Sequence, residues 1–341
     1  MPRITNTMLI NNYMNNMQRN LNSMSITQNQ MSSGKLIQRA SEDPSAAVKV
    51  MQLNAEINSN KTYNTNINDA TNWLNTTDTA MNEVTNIVKR VRTLMVKAGN
   101  GTYEEDEITA IKNEVDERIN QMGEVLNTSF NGEYIFGGTK NTSKPVAVED
   151  GQIYYVDKNG NKLDSTTDPN GKIKDQIASK VSVGISDGIF LDYNKNAVDV
   201  LEFKDSQNKS LNGSNILSDL SKCLGVASGE SSSVSLSDGS VVSSSSEALD
   251  KISGDINENM SLFTQNILSV RSTVGAMQNR MDSAKTNNED QTYNMTDILS
   301  KTDDIDVTEK TMQYAVLQTV YTATLQTSSK VLNNTLMDYL N

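Results

Sequence analysis

The chain has 341 residues, enough for two or three domains, and a net charge of −12, which opposes binding to a phosphate backbone or an anionic membrane surface. It contains no histidine and one cysteine, Cys223, which removes Ser-His-Asp and Cys-His nucleophiles, histidine-ligated zinc and any internal disulfide. Aromatic residues make up only 5% while methionine is plentiful, so thin, adaptable cores of the helix-seam kind are expected, with no cofactor or metal set and no enzyme.

No apolar run approaches the ~20 residues of a spanning helix, so membrane insertion is not expected. The stretch Met1-Pro2-Arg3-Ile4-Thr5-Asn6 has no signal-peptide core, so any export is expected to use a route that does not read one.

In chain order, residues 4–31 read as an amphipathic helix. Ile10, Met14, Met17, Leu21, Met24, Gln28 and Met31 fall alternately four and three apart, an a/d stripe of period 3.5. Gly34 is placed to cap its end. After a connector over 35–42, Ser41 or Asp43 serves as N-cap with Pro44 at the first helical position, where its missing N–H costs nothing. The helix this starts runs to about Ala98. Its second half is a strict heptad on Ile67, Leu74, Met81, Val88 and Met95, each followed three residues later by Ala70, Thr77, Val84, Val91 and Ala98. The polar stretch Asn54–Asn66 predicts a break or kink.

Gly99-Asn100-Gly101 reads as a turn, and Thr102 with Glu105 as a capping box opening a helix to about Ser129. The two helices would form an antiparallel hairpin. From Asn131 the composition shifts to glycine, turns and short alternating runs. Strands are expected at 153–156, 181–185 and 189–193, a turn at Asn159-Gly160, and a weak Ser-rich hairpin over 228–246.

Helix returns at Glu247. Leu249, Ile256, Phe263, Val270, Met277 and Ala284 form a seven-residue ladder, with Met260, Ile267, Val274 and Met281 between its rungs. In the last helix Tyr314, Leu317, Tyr321, Leu325, Ser328, Leu332, Leu336 and Tyr339 follow an eleven-residue repeat, nearer 3.67 per turn. A period of 3.5 facing one of 3.67 suits a wall of many helices better than a private pair.

The predicted fold is mainly α with a β insertion, a nested long-helix rod whose first and last helices pair. Its parts are a terminal helical domain at a tube axis (1–42 and 295–341), a helical rod domain (43–140 and 246–294) and an inserted, mostly-β outer domain (141–245). The stripes at both ends, Ile10, Met14, Met17, Leu21, Met24 and Met31 with Leu317, Tyr321, Leu325, Leu332 and Leu336, are read as an assembly interface, because the chain offers no second apolar layer to cover them.

Several bland readings stand beside these. Asp157-Lys158-Asn159-Gly160-Asn161 is a hairpin turn rather than a calcium loop, since its glycine is misplaced and Asp168 holds the twelfth position. Gly137-Gly138 lacks the following Lys-Ser/Thr of a phosphate loop. Cys223 reads as buried and inert. Tyr154 and Tyr155 suit strand packing better than a carbohydrate face. Arg39 and Arg271 read equally well as solvated residues or as partners of carboxylates at interfaces.

The stretch Ser32-Ser33-Gly34-Lys35-Leu36-Ile37-Gln38-Arg39-Ala40-Ser41-Glu42-Asp43-Pro44 resembles the N-terminal signature of the flagellin family, with Glu42 where Asp is usual. Arg271, Gly275-Ala276 and Asn279-Arg280 are similar to its Arg-x-x-x-Gly-Ala-x-x-Asn-Arg pattern, with Met281 in place of Leu, and Ser300 with Asp303-Asp304-Ile305-Asp306 to its Ser-x-x-x-Asp-x-Asp segment. The motif residues carried over are Gly34, Arg39, Asp43, Pro44, Arg271, Gly275, Asn279 and Arg280. Within the family, Arg3-Ile4-Thr5-Asn6 with Met8, the segment Asn131–Thr139 and the ending Asp338-Tyr339-Leu340 resemble the hook-associated protein 3 type, which joins hook to filament. Filament flagellin is the alternative, and an adhesin-like binding module on a helical stalk stands behind both.

The resemblance implies a structural component of the bacterial flagellum, exported unfolded through the flagellum's own type III channel to the extracellular side without a cleaved signal peptide. An export chaperone would hold its C-terminal helix in the cytoplasm. The implied partners are the hook-associated protein 1 type of junction subunit, flagellin filament subunits and further copies of this chain in a ring. Terminal stripes that cannot be buried alone are expected to order on assembly.

Overall fold

The computed structural model describes residues 6–100, 104–164, 167–205 and 207–332. The helices are α1 (Asn6–Ser33), α2 (Pro44–Gly99), α3 (Glu105–Leu126), α4 (Lys172–Ala178), α5 (Ala197–Leu201), α6 (Gly213–Ala227), α7 (Ser245–Lys251), α8 (Asn257–Asp303) and α9 (Val307–Leu332), with a π-turn at Ile252–Ile256 joining α7 to α8. The strands are β1 (Ser129–Phe130), β2 (Glu133–Tyr134), β3 (Val146–Glu149), β4 (Gln152–Tyr155), β5 (Ser182–Ser186), β6 (Ile189–Asp192), β7 (Glu202–Lys204), β8 (Ser210–Asn212), β9 (Val234–Ser235) and β10 (Val241–Val242). They pair antiparallel in five separate two-stranded ribbons. The described residues up to Lys61 and from Glu289 onward form one compact unit, and Thr62–Asn288 the other.

In the terminal unit, α1 stops where Gly34 turns to φ +73° and its N–H closes on Gln30 O at 2.8 Å. Only a residue without Cβ takes that conformation cheaply. Asp43 is the N-cap of α2: its Oδ1 accepts from Ala46 N at 3.0 Å, with Pro44 following as the first helical residue. The polar stretch 54–66 does not break α2, which stays helical throughout. Leu53, Ile57 and Asn60 are buried there, so a sparse inward row is enough to carry the helix.

α1 and α9 pack antiparallel. On α1 the less exposed row is Ile10, Tyr13, Met17, Asn20, Met24, Thr27 and Met31, with Leu21 beside it. The 3.5 period holds, but every second rung moves by one residue: Tyr13 and Thr27 take the places expected for Met14 and Gln28, and Met14 is 60% exposed. On α9 the row is Lys310, Tyr314, Leu317, Tyr321, Thr324 and Ser328. Thr324 replaces Leu325, so α9 also runs at 3.5 across its described side chains and the expected mismatch of periods does not arise. The reason is polar: Tyr13 Oη donates to Thr324 O (2.7 Å) and Asn20 Nδ2 to Leu317 O (3.3 Å), which turns these residues toward the facing helix. The side chain of Leu332, and all of Leu336 and Tyr339, lie outside the described residues.

In the central unit every rung of the α2 heptad from Ile67 to Ala98 is buried. Ile108, Val115, Ile119, Met122 and Leu126 of α3 close on it in the expected hairpin. The capping box sits two residues later than predicted: Glu104 is the N-cap and its N–H is accepted by Glu107 (3.3 Å), while Thr102 lies outside the described residues. From α8, Met260, Phe263, Ile267, Val270, Val274 and Met281 are buried as expected.

The expected strands at 153–156, 181–185 and 189–193 are present as β4, β5 and β6, and the Ser-rich hairpin as β9–β10. The longest element of the insertion is nevertheless a helix, α6, buried along almost its whole length. Its serines disguise Ile216, Leu217, Leu220 and Leu224, which recur at helical spacing. One apolar core runs without interruption from α2 and α3 through Val146, Ile177 and α6 to α8, so residues 141–245 fold upon the long helices.

Candidate assembly surface

Polar contacts fix the ends of the terminal helices. Lys35, directly after the Gly34 cap, places its ammonium 2.8 Å from Asp304 and 3.2 Å from Asp303, and Ile305 N donates to Gly34 O (3.2 Å). The bond to Asp304 raises the Lys35 pKa, and the same bond, with help from Ser300, holds Asp304 below the usual carboxylate range. The loop after α1 is thereby tied to the α8–α9 junction.

The flanks of the α1/α9 pair are open and apolar. Met8 and Met14 on α1, and Met312, Val316, Val320 and Leu325 on α9, are 43–64% exposed. A groove of about 600 Å³ opens between Ser23 and Thr27 of α1 and Met312 and Val316 of α9. Covering all six side chains would contribute on the order of 5–10 kcal/mol. Of the residues read as an interface, Ile10, Met17, Leu21, Met24, Met31, Leu317 and Tyr321 lie half-buried in the seam itself, and Met14 and Leu325 lie on the open flank.

The motif residues divide the same way. Gly34, Asp43 and Pro44 shape the chain, whereas Arg39 is exposed with no side-chain partner among the described residues. Arg271 is paired within the chain: its Nε donates to Asp78 Oδ1 and its Nη1 to Asn82 Oδ1, both at 2.9 Å. The bond to Asp78 raises its pKa. Asn279 and Arg280 are exposed, and a Cβ at Gly275 would meet nothing within 4 Å, so no described neighbour in the chain asks for glycine there.

Sequence reasoning missed the Arg90–Glu114 fork (2.7 and 2.9 Å) across the α2–α3 hairpin, although both residues stand equally far from the turn. Cys223 is buried, and burial pushes its thiol up to about 12, so it stays protonated and unreactive near neutral pH. The Asp157 carboxylate is used by its own turn, accepting from Asn159 N and Asn161 N, and the Asn161 bond holds its pKa low.

The bacterial flagellin N-terminal helical region matches residues 4–141, and the bacterial flagellin C-terminal helical region matches 259–340. The chain belongs to the flagellin family. A flagellin of Clostridium tyrobutyricum is 27% identical over 138 residues, 40% of this chain and 37% of that relative. A flagellin of Salmonella dublin is 25% identical over 144 residues, 42% of this chain and 28% of its own length. The chain thus spans only 28–37% of the length of these flagellins. Among solved structures, flagellar hook-associated protein 3 of Legionella pneumophila is similar with a TM-score of 0.58 at 15% identity, covering 74% of this chain and 98% of its own. Xanthomonas campestris FlgL has a TM-score of 0.55 at 12% identity, with 73% and 99% covered. These likenesses are of fold: the long helices at both ends and the short ribbons between them are those of this flagellin-family chain.

Proposed function

We propose that this protein is a structural, non-catalytic subunit of the bacterial flagellum, placed at the junction between hook and filament and held there by packing its terminal helices against neighbouring subunits. The observation that carries this reading is the open apolar flank of the α1/α9 pair, Met14 and Leu325 included, which a lone chain leaves in water. The fold likeness to hook-associated protein 3 of Legionella pneumophila supports the junction over the filament. The partners in this reading are a hook-associated protein 1 type subunit below, flagellin above and copies of this chain at each side. An export chaperone holds the C-terminal helix before passage to the extracellular side.

The alignment with Clostridium tyrobutyricum flagellin favours a second reading, filament flagellin. Deleting the gene separates the two. Hooks without filaments, with flagellin released to the medium, are expected for a junction subunit. Loss of the filament's main protein would instead indicate a filament subunit, and normal filaments would exclude both. Removal of residues 325–341 is expected to abolish assembly while the central unit still melts cooperatively.

A further inference from the structure

The β5–β6 hairpin lies on the α2/α8 pair, where Ile185 and Leu191 pack on Ile67, Leu74, Val274 and Met281, and Asn288 Nδ2 donates to Ile185 O at 2.7 Å. A cleft opens on each side of it. The cleft on the α2 side, about 340 Å³, is bordered by Asp69, Trp73, Phe130, Glu133 and Tyr193. The Trp73 ring meets Phe130 and Tyr193 edge-on, at 6.2 and 5.9 Å between centroids. The cleft on the α8 side, about 420 Å³, is bordered by Lys180, Phe190, Lys195, Met277 and Arg280. Phe190 is 72% exposed there.

The two clefts are opposite in charge and stand at one level of the helix pair, since Gln278 Nε2 donates to Asn75 Oδ1 (2.9 Å) between their walls. Asp69 and Glu133 on one side, and Lys195 and Arg280 on the other, have no side-chain hydrogen bond or ion pair among the described residues. Among the described residues Lys180 reaches Asp192, at 4.0 Å. In a chain of net charge −12, close approach of copies is opposed unless opposite signs are brought together.

We propose that the occupant of each cleft is a second copy of this chain: the Lys195/Arg280 flank of one subunit docks in the Asp69/Glu133 cleft of the next. The guanidinium of Arg280 then meets both carboxylates, a setting that attracts a planar cation. Flank-to-opposite-flank docking repeats in one direction and closes a ring or continues a helix. The inference rests on the assembly reading above and names one lateral contact within it. It also assigns a role to Arg280, which no described side chain in its own chain engages.

The test uses full-length chains returned to cells lacking the gene. Asp69→Lys with Glu133→Lys, and separately Lys195→Glu with Arg280→Glu, are each expected to be exported and released to the medium while filaments fall by roughly tenfold or more, because like charges then face each other. The chain carrying all four reversals restores complementarity and is expected to restore filaments. Wild-type filament numbers in both double variants would overturn this contact while leaving the flagellar role standing. Failure of the fourfold variant, with an unchanged melting temperature and normal export, would overturn it too. Loss of the flagellar role itself would appear as normal filaments in the deletion strain.

Discussion

Gly213 stands directly against Phe263: a Cβ at Gly213 would lie 2.3 Å from the Phe263 ring. The start of α6 therefore approaches α8 as closely as a bare Cα permits, and the ring, stacked on Phe203 at 5.8 Å, is fully buried beneath it. Gly213→Ala is expected to destabilise the central unit by about 1–3 kcal/mol through overpacking. Phe263→Ala should cost about 3–5 kcal/mol by leaving a cavity. Urea titration followed by the single tryptophan, Trp73, reads both, and an unchanged midpoint in the glycine variant would show that the contact relaxes freely.

Met14 and Met17 separate the inner seam from the open flank. Met17→Asp is expected to loosen the α1/α9 pair in the isolated chain, seen as faster amide exchange near Asn20 and Leu317. Met14→Asp, on the exposed side, should leave exchange unchanged yet block incorporation into flagella. Equal exchange and equal incorporation for both variants would contradict the division between faces.

The Lys35–Asp304 contact has a pH window with two edges. Asp304 is held below its usual range, so its contribution is complete above a carboxylate's unfolded pKa of about 3.9 and is lost as pH falls through the folded value. Lys35 is raised, so its share is complete below an unfolded lysine's pKa of about 10.4 and is lost as pH rises through the folded value. Both side chains are more than 40% exposed, so the pair stabilises by no more than about 0.5 kcal/mol. Asp304→Asn should flatten the acid edge for the terminal unit in a pH series of melts at low salt.

Gly34→Ala tests the end of α1. Nothing crowds the position, so its positive φ is the sole obstacle, and a loss of about 1–2 kcal/mol is expected. Gly275→Ala should do the reverse, adding up to about 1 kcal/mol of helix propensity with no clash inside the chain. If Gly275→Ala stabilises the isolated chain and still weakens assembly, a neighbouring subunit approaches α8 there; unimpaired assembly would remove that role.

Much of this protein was decided by local sequence. The heptad from Ile67 to Ala98, the ladder on α8, the Gly34 stop and the Asp43-Pro44 start are all where their spacing and caps place them, because a helix buries whatever recurs at its own period. The pairing of α1 with α9 and of α2 with α3, and the flagellin-family motifs at both ends, were legible too. Tertiary structure decided which rung faces inward. Met14 and Tyr13 are adjacent on α1, and hydrophobicity favours the methionine, but Tyr13 reaches the Thr324 carbonyl and turns Met14 outward. It decided as well that α6 would be a buried helix among serines, and that Asp69 and Glu133 would share one flank of a hairpin while Lys195 and Arg280 share the other. Those groupings depend on residues far apart in the chain, which no local period records.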